Sequence, residues 1–203
     1  MKLLVATRNP GKLAEARQIL EPAGVAVVSP DEAGVVWSAA EDLLEHADTF
    51  EGNATAKAEF FAKRAGMPTV ADDSGLEVIS LAGAPGVRSK RWAGASGSPD
   101  EVDAANNREL LRRLLGAPEA RRRARYRCVL ALVEPGRPVP RVFEGTCAGV
   151  ILTEPHGTGG FGYDPLFLSD DLGKTFGEAT AEEKNRVSHR GRAFAEMLAA
   201  LAV

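Results

Sequence analysis

The sequence predicts an α/β fold, because its first elements alternate between strand and helix. Residues 2–6 form a short apolar run that leads into a loop containing glycine, and a helical pattern of apolar residues begins at Lys12. A second strand is expected at residues 25–28, after a helix stop at Gly24. The 203 residues, 44% hydrophobic and 26% charged, fit one globular domain over residues 1–203 and exclude wholesale disorder.

The rest of the chain is also expected to be mixed helix and strand. Residues 29–48 have little periodicity and are expected to form loop and short turns. The stretch 83–99 is rich in Gly, Ser and Pro, and with Trp92 inside it is expected to be a long functional loop. The remaining expected elements are helices at 53–65, 98–115 and 188–202, strands at 69–71, 126–133 and 142–151, and a glycine-rich loop at 158–165.

Charge and composition exclude several classes of protein. A net charge of −3, from 25 basic and 28 acidic residues, argues against bulk binding of nucleic acid. No apolar run approaches the roughly 18 residues of a membrane span, and the apolar run at the N-terminus is too short for a signal peptide. Cys128 and Cys147 both lie in apolar strand-like runs, which favours two buried thiols over a disulfide. These features indicate a cytoplasmic protein.

The first candidate site is the loop Thr7-Arg8-Asn9-Pro10-Gly11-Lys12, directly after the first strand. A loop that leads into a helix offers free backbone N–H groups and the positive end of the helix dipole, and both suit phosphate. Lys12 adds a point charge, and Thr7 and Asn9 add neutral donors. The spacing is not that of a P-loop, and an ordinary strand–helix turn with a solvated Lys12 is the alternative.

The second candidate site is Asp72-Asp73-Ser74-Gly75, which is expected at the C-terminal end of a strand. Open α/β sheets bind ligands at that edge. Two adjacent carboxylates repel each other and usually need a cation or a basic partner to remain ionised. Mg2+ accepts one or two carboxylates together with the phosphates of a substrate. The alternative is an Asx-turn in which one Asp caps the turn and the other is solvated.

The third candidate is an acidic segment at the start of the second predicted helix. Its acids are Glu41, Asp42, Glu45, Asp48 and Glu51. Asn53 and Lys57 follow at a spacing of four residues, which places them on one face of the helix. That face is otherwise rich in alanine and leaves room for a ligand. A solvated acidic surface is the alternative interpretation.

The fourth candidate combines the glycine-rich loop with polar residues nearer the C-terminus. Phe161 and Tyr163 can stack on a flat ring, and Lys184, His189 and Arg190 supply donors. Such a set suits a planar base that displays carbonyl acceptors. The alternatives are a core position for Phe161 and plain turns at the glycines. The four candidates together describe a nucleotide site with a metal ion.

Six motifs occur in order along the chain: TRNPGK (7–12), TFEGNATAKA (49–58), ADDSGLEV (71–78), GAPGVRSKRWAG (83–94), GTGGFGYDPLF (157–167) and EEKNRVSHRGRA (182–193). This series resembles the inosine triphosphatase family of nucleoside-triphosphate pyrophosphatases. The resemblance implies hydrolysis of inosine, xanthosine and deoxyinosine triphosphates (ITP, XTP and dITP) to the monophosphate and pyrophosphate, with Mg2+. It also implies a long curved mixed β-sheet flanked by helices, two lobes with a central nucleotide cleft, and a homodimer. The net charge and the lack of a long apolar run already predict that neither nucleic acid nor membrane is a partner.

The resemblance also implies roles for individual residues. Asp73 would be the catalytic acid–base residue, and it would bind Mg2+ together with Glu45. Ser74 would touch the substrate. The residues implied to hold the triphosphate are Thr7, Arg8, Asn9, Pro10, Gly11 and Lys12. The residues implied to bind chiefly the base are Phe161, Gly162, Tyr163, Asp164, Lys184, His189 and Arg190.

Four positions depart from the pattern that is common in similar proteins. Gly52 stands where Glu is common, and this removes a carboxylate from the start of a helix. His46-Ala47 stand where Thr-Gly is common, and Trp92 stands where Tyr is common.

Two other functions remain as alternatives. Maf-like nucleotide pyrophosphatases are related enzymes, but their opening loop normally carries Ser-Pro-Arg-Arg, which is absent here. A nucleotide sensor that binds without turnover is the other alternative, and the presence of both Asp73 and Lys12 argues against it.

Overall fold

The structure, a computed structural model, describes residues 1–201, so the expected helix end at Ala202 lies outside the described residues. The strands and α-helices are β1 (Lys2–Val5), α1 (Pro10–Leu20), β2 (Ala26–Val28), α2 (Phe50–Ala65), β3 (Thr69–Val78), α3 (Pro99–Arg113), β4 (Arg123–Val133), β5 (Arg141–Ile151), β6 (Phe167–Ser169), α4 (Ala181–Val187) and α5 (His189–Leu201). Short 3-10 helices lie at Ala39–Leu43, Ile79–Leu81, Gly86–Arg91, Glu119–Arg121 and Asp164–Leu166.

The six strands form one mixed sheet in the order β2-β1-β3-β4-β5-β6. Strand β1 runs parallel to β2 on one side and to β3 on the other, with Leu4 opposite both Val28 and Thr69. Strands β5 and β6 are antiparallel, with Val150 opposite Leu168. The predicted α/β class with a mixed sheet and flanking helices is therefore confirmed.

The chain divides into two compact units, each assembled from separate stretches of sequence. The first unit contains residues 1–73, residues 128–145 and the segment that begins at Arg190. The second unit contains residues 74–127 and 146–189. Strands β3, β4 and β5 each contribute residues to both units.

Each unit has its own apolar core. In the first unit, Leu20 of α1 and Phe194 of α5 are buried together with residues of β1, β3 and β4. In the second unit, Leu110 of α3 is buried together with residues of β3, β4, β5 and β6. Cys128 and Cys147 are buried free thiols, as predicted. Burial raises the pKa of Cys128 to about 12, so this thiol is unreactive at neutral pH.

Several element boundaries differ from the prediction. Strand β3 was expected to end at Ala71, but it continues through the whole Asp72–Gly75 motif. Helix α2 begins at Phe50 rather than residue 53, because the Thr49 side chain caps it by accepting from the Gly52 N–H at 3.1 Å. The short elements β6 and α4 were not predicted. Among residues 1–201, none of the helices has both the length and the apolar character needed to cross a membrane.

Candidate active site

The loop between β1 and α1 presents the first turn of a helix, as the sequence predicted. Asn9 caps α1 by accepting from the Lys12 N–H at 3.1 Å, and Pro10 occupies the first turn. Thr7 accepts from the Asn9 N–H at 3.1 Å and so fixes the approach to the helix. All of these residues except Pro10 are half-buried, and Pro10 is exposed. The loop can therefore present its free N–H groups to an anion.

Asp72 is the centre of a buried charge network in the first unit. Its Oδ2 atom lies 3.0 Å from Lys12 Nζ and 3.0 Å from an amino nitrogen of Arg190. Arg190 also forms an ion pair with Glu15 of α1. The side chains of Asp72 and Arg190 are only 5% and 2% exposed. Burial would raise the pKa of Asp72, but the charges of Lys12 and Arg190 outweigh this effect and hold the pKa below its ordinary value.

Asp73, the next residue along β3, belongs to a different cluster. Its Oδ2 accepts from Asn53 Nδ2 at 2.9 Å, and its Oδ1 lies 3.8 Å from Lys57 Nζ. Lys57 also donates to Glu45 at 2.5 Å and to the Asp72 carbonyl at 2.6 Å. Asn53 and Lys57 of α2 therefore share one buried face, as their spacing predicted.

Electrostatics set Asp73 apart from its neighbour. Burial raises the pKa of the Asp73 carboxyl, and the attraction of Lys57 and Lys12 only partly offsets that rise. The negative charge of Glu45 adds to it. A carboxyl group in such surroundings is a better proton acceptor than an ordinary exposed Asp.

The same cluster offers two carboxylates to a divalent cation. The carboxylates of Asp73 and Glu45 both approach Lys57 Nζ, so their oxygens converge on one position of positive charge. The described residues contain no group of three or more His, Cys, Asp or Glu side chains that could form a metal cage. Mg2+ commonly takes one or two protein carboxylates and completes its shell with water and phosphate. The pair Glu45 and Asp73 fits that mode of binding.

Arg8 lies in the predicted phosphate-binding loop, but its guanidinium group is bonded to protein acceptors. It donates to both carboxylate oxygens of Glu41, at 2.8 and 3.0 Å, and to the Val35 carbonyl at 2.9 Å. It also pairs with Asp31. The structure thus brings Arg8 to the segment that precedes α2.

In the second unit, Asp164 and Lys184 organise the glycine-rich loop. Asp164 Oδ2 accepts from Lys184 Nζ at 2.5 Å and from the Phe161 N–H at 2.9 Å. Lys184 Nζ lies 4.7 Å from the centre of the half-buried Phe161 ring. A Cβ added at Gly160, where φ is +71°, would lie 2.1 Å from Asp164 Oδ2. The motif therefore needs glycine at this position to let the loop fold onto Asp164.

Three residues that were predicted to bind the base are buried against other protein groups. Tyr163 is 4% exposed and donates its hydroxyl to the Ser89 carbonyl at 2.8 Å, so it packs in the core instead of offering a stacking face. His189 is also 4% exposed, and its ring stacks on Tyr126 at 4.6 Å. Arg190 faces Asp72, as described above, because a buried guanidinium requires carboxylate partners.

Comparison with known proteins supplies the family. A model of the Ham1 family matches residues 3–200. The chain belongs to the Ham1 family. The dITP/XTP pyrophosphatase of Frankia alni is 47% identical over 198 residues, which cover 97% of this chain and 95% of that protein. The dITP/XTP pyrophosphatase of Yersinia pseudotuberculosis is 45% identical, and the match covers 98% of both chains.

Solved structures of Ham1 proteins have the same fold. The HAM1 protein of Coxiella burnetii is 35% identical, with a TM-score of 0.83 over 100% of this chain and 98% of that one. A nucleoside-triphosphatase / dITP/XTP pyrophosphatase from Mycobacterium abscessus is 44% identical, with a TM-score of 0.72 over 98% and 99% of the two chains.

Helix α3 of this Ham1 chain contributes residues that sequence analysis missed. Asp103 accepts from the Gly162 N–H at 2.8 Å, and Asn107 donates to the Gly162 carbonyl at 2.9 Å. Asp103 also pairs with Lys90 at 2.9 Å. The only available sequence signal is that both residues are polar and lie four apart, which puts them on one helix face. Their partner on the loop cannot be deduced from spacing.

Ser74, which was predicted to touch the substrate, is half-buried in β3.

Proposed function

We propose that this chain hydrolyses dITP, ITP and XTP to the nucleoside monophosphate and pyrophosphate. The relatives named dITP/XTP pyrophosphatase match it over almost their full length. The observation that carries the proposal is the environment of Asp73. Its carboxyl is buried, has a raised pKa and lies beside Asn53 and Lys57. A nucleotide sensor without turnover has no need of such a base.

The triphosphate is proposed to bind at the loop between β1 and α1. The free N–H groups of the first turn of α1 would accept phosphate oxygens, and Lys12 would add positive charge. Thr7 and Ser74 would supply hydroxyl groups. Asn9 and Pro10 shape the loop through the helix cap, and Gly11 belongs to the first turn.

Asp73 is proposed to take the proton from the attacking water. The Asn53 amide holds one carboxylate oxygen, so the geometry of this base is fixed before substrate binds. The Lys57 ammonium lies 3.8 Å from the Asp73 carboxylate, and both groups are buried away from water. Glu45 and Asp73 would hold Mg2+, which neutralises charge on the phosphate oxygens when it is bound.

The purine base is proposed to bind at the Phe161–Asp164 loop. Phe161 is the half-buried aromatic residue of that loop, and Lys184 lies beside its ring. Hypoxanthine and xanthine carry a carbonyl at position 6, which N–H donors can satisfy. Adenine carries an amino group there, and a buried donor facing another donor costs about 1–3 kcal/mol.

The decisive experiment measures pyrophosphate release from ITP, XTP, dITP and ATP, with and without Mg2+. We expect ITP to be preferred over ATP by at least about tenfold in kcat/KM, which corresponds to about 1.4 kcal/mol. We expect chelation of the metal to remove turnover. Release of orthophosphate instead of pyrophosphate, or equal rates on ITP and ATP, would refute the proposal. A preference for a modified pyrimidine triphosphate would favour the Maf-like alternative.

We further propose that the enzyme is a homodimer and acts in the cytoplasm, as the resemblance to the inosine triphosphatase family implies. Two free buried cysteines suit a reducing compartment. Sedimentation at micromolar concentration tests the assembly, since a species of 21.5 kDa would be the monomer.

A further inference from the structure

Arg8 connects two parts of the first unit through its hydrogen bonds. Arg8 follows β1 in the proposed phosphate-binding loop, while its acceptors Glu41, Val35 and Asp31 lie between β2 and α2. A guanidinium group that donates to both oxygens of one carboxylate forms a planar, directional pair. The Glu41 side chain is only 9% exposed, so water competes weakly for it.

Residues 29–48, here called the linking segment, contain little regular secondary structure. The 3-10 helix Ala39–Leu43 is their only helix or strand among the described residues. Val36, Trp37 and Leu43 are 83%, 57% and 70% exposed, so much of the apolar surface of the segment is not packed. Polar contacts such as those of Arg8 therefore help to hold this segment in its conformation.

The linking segment carries Glu45, the proposed metal ligand. The Leu44 N–H donates to the Glu41 carbonyl at 3.1 Å, so one turn of backbone connects the residue that Arg8 holds to the residue before Glu45. On its other side, Glu45 accepts from Lys57 at 2.5 Å. Lys57 thus contacts the Glu45 carboxylate directly, and Arg8 acts on the backbone before Glu45 through Glu41.

We propose that Arg8 is a positioning residue that fixes Glu45 for metal binding, and that it does not bind the triphosphate. The inference rests on the proposed function, because it takes Glu45 as a ligand of Mg2+. Its physical basis is that the hydrogen bonds and ion pairs of Arg8 end on the linking segment, while its guanidinium group also lies 5.9 Å from the centre of the Phe61 ring. Loss of the pair would remove the contacts that hold Glu41, one turn of backbone before Glu45.

The experiment compares Arg8→Ala with Arg17→Ala. Arg17 of α1 pairs with Glu32 of the same linking segment at 2.7 Å, but this ion pair is exposed and leads to no candidate ligand. Arg17→Ala therefore removes an arginine and an ion pair without touching the Glu41 contact. Glu41→Gln is a second test variant that leaves Arg8 in place.

Two quantities are measured for each variant. One is the Mg2+ concentration that gives half-maximal ITP hydrolysis. The other, measured without substrate, is the fluorescence anisotropy of Trp37 in a Trp92→Phe background, which leaves a single tryptophan in the linking segment. Loss of a residue that orients a metal ligand typically weakens metal affinity by about 10–100-fold.

We expect Arg8→Ala and Glu41→Gln to raise the half-saturating Mg2+ concentration about tenfold and to lower the anisotropy of Trp37. Arg17→Ala should change neither quantity. A higher KM for ITP at saturating Mg2+, with unchanged Mg2+ dependence and anisotropy, would show that Arg8 binds phosphate and would overturn the inference. A parent enzyme that does not hydrolyse ITP would overturn the proposed function instead, and the anisotropy comparison would remain interpretable.

Discussion

Asp72 and Asp73 are consecutive residues of β3, and the surroundings of the two carboxyl groups shift their pKa values in opposite directions. Successive side chains of a strand point to opposite faces. Asp72 meets Lys12 and Arg190, which outweigh burial and lower its pKa. For Asp73 burial dominates, and the more distant Lys57 does not cancel it, so the pKa is raised. The Asp72 carboxylate is thereby suited to pair with the Lys12 and Arg190 side chains, and the Asp73 carboxylate is suited to accept a proton.

Asp73→Asn should abolish most turnover while the protein remains folded. The amide cannot accept the proton of the attacking water, and removal of a general base typically costs about 10²–10⁴ in rate. In the metal-free protein, the Asp73 carboxyl should titrate above the ordinary Asp pKa of 3.8, because its pKa is raised. Pyrophosphate release is the measurement, with Asp100→Asn on exposed helix surface as the control. Retention of more than about a tenth of the rate would contradict the assignment.

The substitution Asp73→Asn should also change the thermal stability of the protein. A raised folded-state pKa means that ionised Asp73 opposes folding above that pKa, and the cost disappears as pH falls below the unfolded value. Asp73→Asn should therefore raise Tm at pH 7–8, with a gain that shrinks toward pH 4. The comparison is made by thermal unfolding across this range. A loss of Tm at neutral pH would contradict the raised pKa.

Asp72→Asn should lower stability at neutral pH. The substitution removes one buried carboxylate that offsets the charges of Lys12 and Arg190, and breaking a buried ion pair typically costs about 3–5 kcal/mol. Because the folded-state pKa of Asp72 is depressed, its contribution is present above the unfolded pKa and is lost as pH falls through the folded one. The penalty measured by denaturant unfolding should thus be constant from pH 8 to pH 5. A neutral effect at pH 7 would show that the network does not stabilise the fold.

Local sequence patterns predicted the elements of the fold better than the partners of its charged residues. Caps, glycine stops and apolar periodicity located α1, α2, α3 and α5 because these signals act within a few residues. The strand through Asp72 and Asp73 was not predicted, since acidic residues are depleted in strands. Their presence in β3 depends on partners such as Arg190, which is 118 residues away in the sequence. Periodicity carries no information about such a pair.

The resemblance named the residues of the candidate site, but it did not predict how they contact one another. The resemblance implied that Arg8 holds the triphosphate and that Arg190 binds chiefly the base. In the structure each is bonded to carboxylates of its own unit. These pairings depend on how the chain folds in three dimensions, which a motif does not describe.

Two departures from the common motif pattern compensate each other. A Cβ added at Gly52 would lie 2.8 Å from the Ala47 Cβ, closer than real side chains approach. In the common motif pattern, Glu stands at position 52 and Gly stands at position 47, so the two Cβ atoms do not meet. Gly52→Ala should therefore destabilise the protein by about 1–3 kcal/mol through overpacking, although Ala normally favours a helix by about 1 kcal/mol. Adding Ala47→Gly should recover most of the loss in a double-mutant cycle followed by thermal unfolding. Independent effects of the two substitutions would refute the contact.

Arg190→Lys tests whether this arginine reads the base or supports Asp72. Lysine keeps the positive charge but cannot bond to Asp72 and Glu15 at once with a planar fork. Because both partners lie in the charge network of Lys12, we expect kcat/KM for ITP and for ATP to fall by the same factor. Steady-state kinetics on both substrates are the measurement. A loss confined to ITP would return Arg190 to the role of base recognition that its motif suggested.

Asn107→Ala should weaken nucleotide binding without slowing the chemical step. Asp103 accepts from the N–H of Gly162 and Asn107 donates to its carbonyl, so they fix the loop that carries Phe161. Loss of one hydrogen bond of this kind is worth about 1 kcal/mol, which corresponds to a roughly fivefold rise in KM for ITP with kcat nearly unchanged. Asp73 is not a partner in these hydrogen bonds, so the acid limb of the pH profile should stay where it is. The neighbouring exposed Arg108→Ala is the matched control on the same helix, and it should leave KM unchanged. A fall in kcat at constant KM would instead mean that α3 supports the chemical step, and the loop would then have no special part in binding the base.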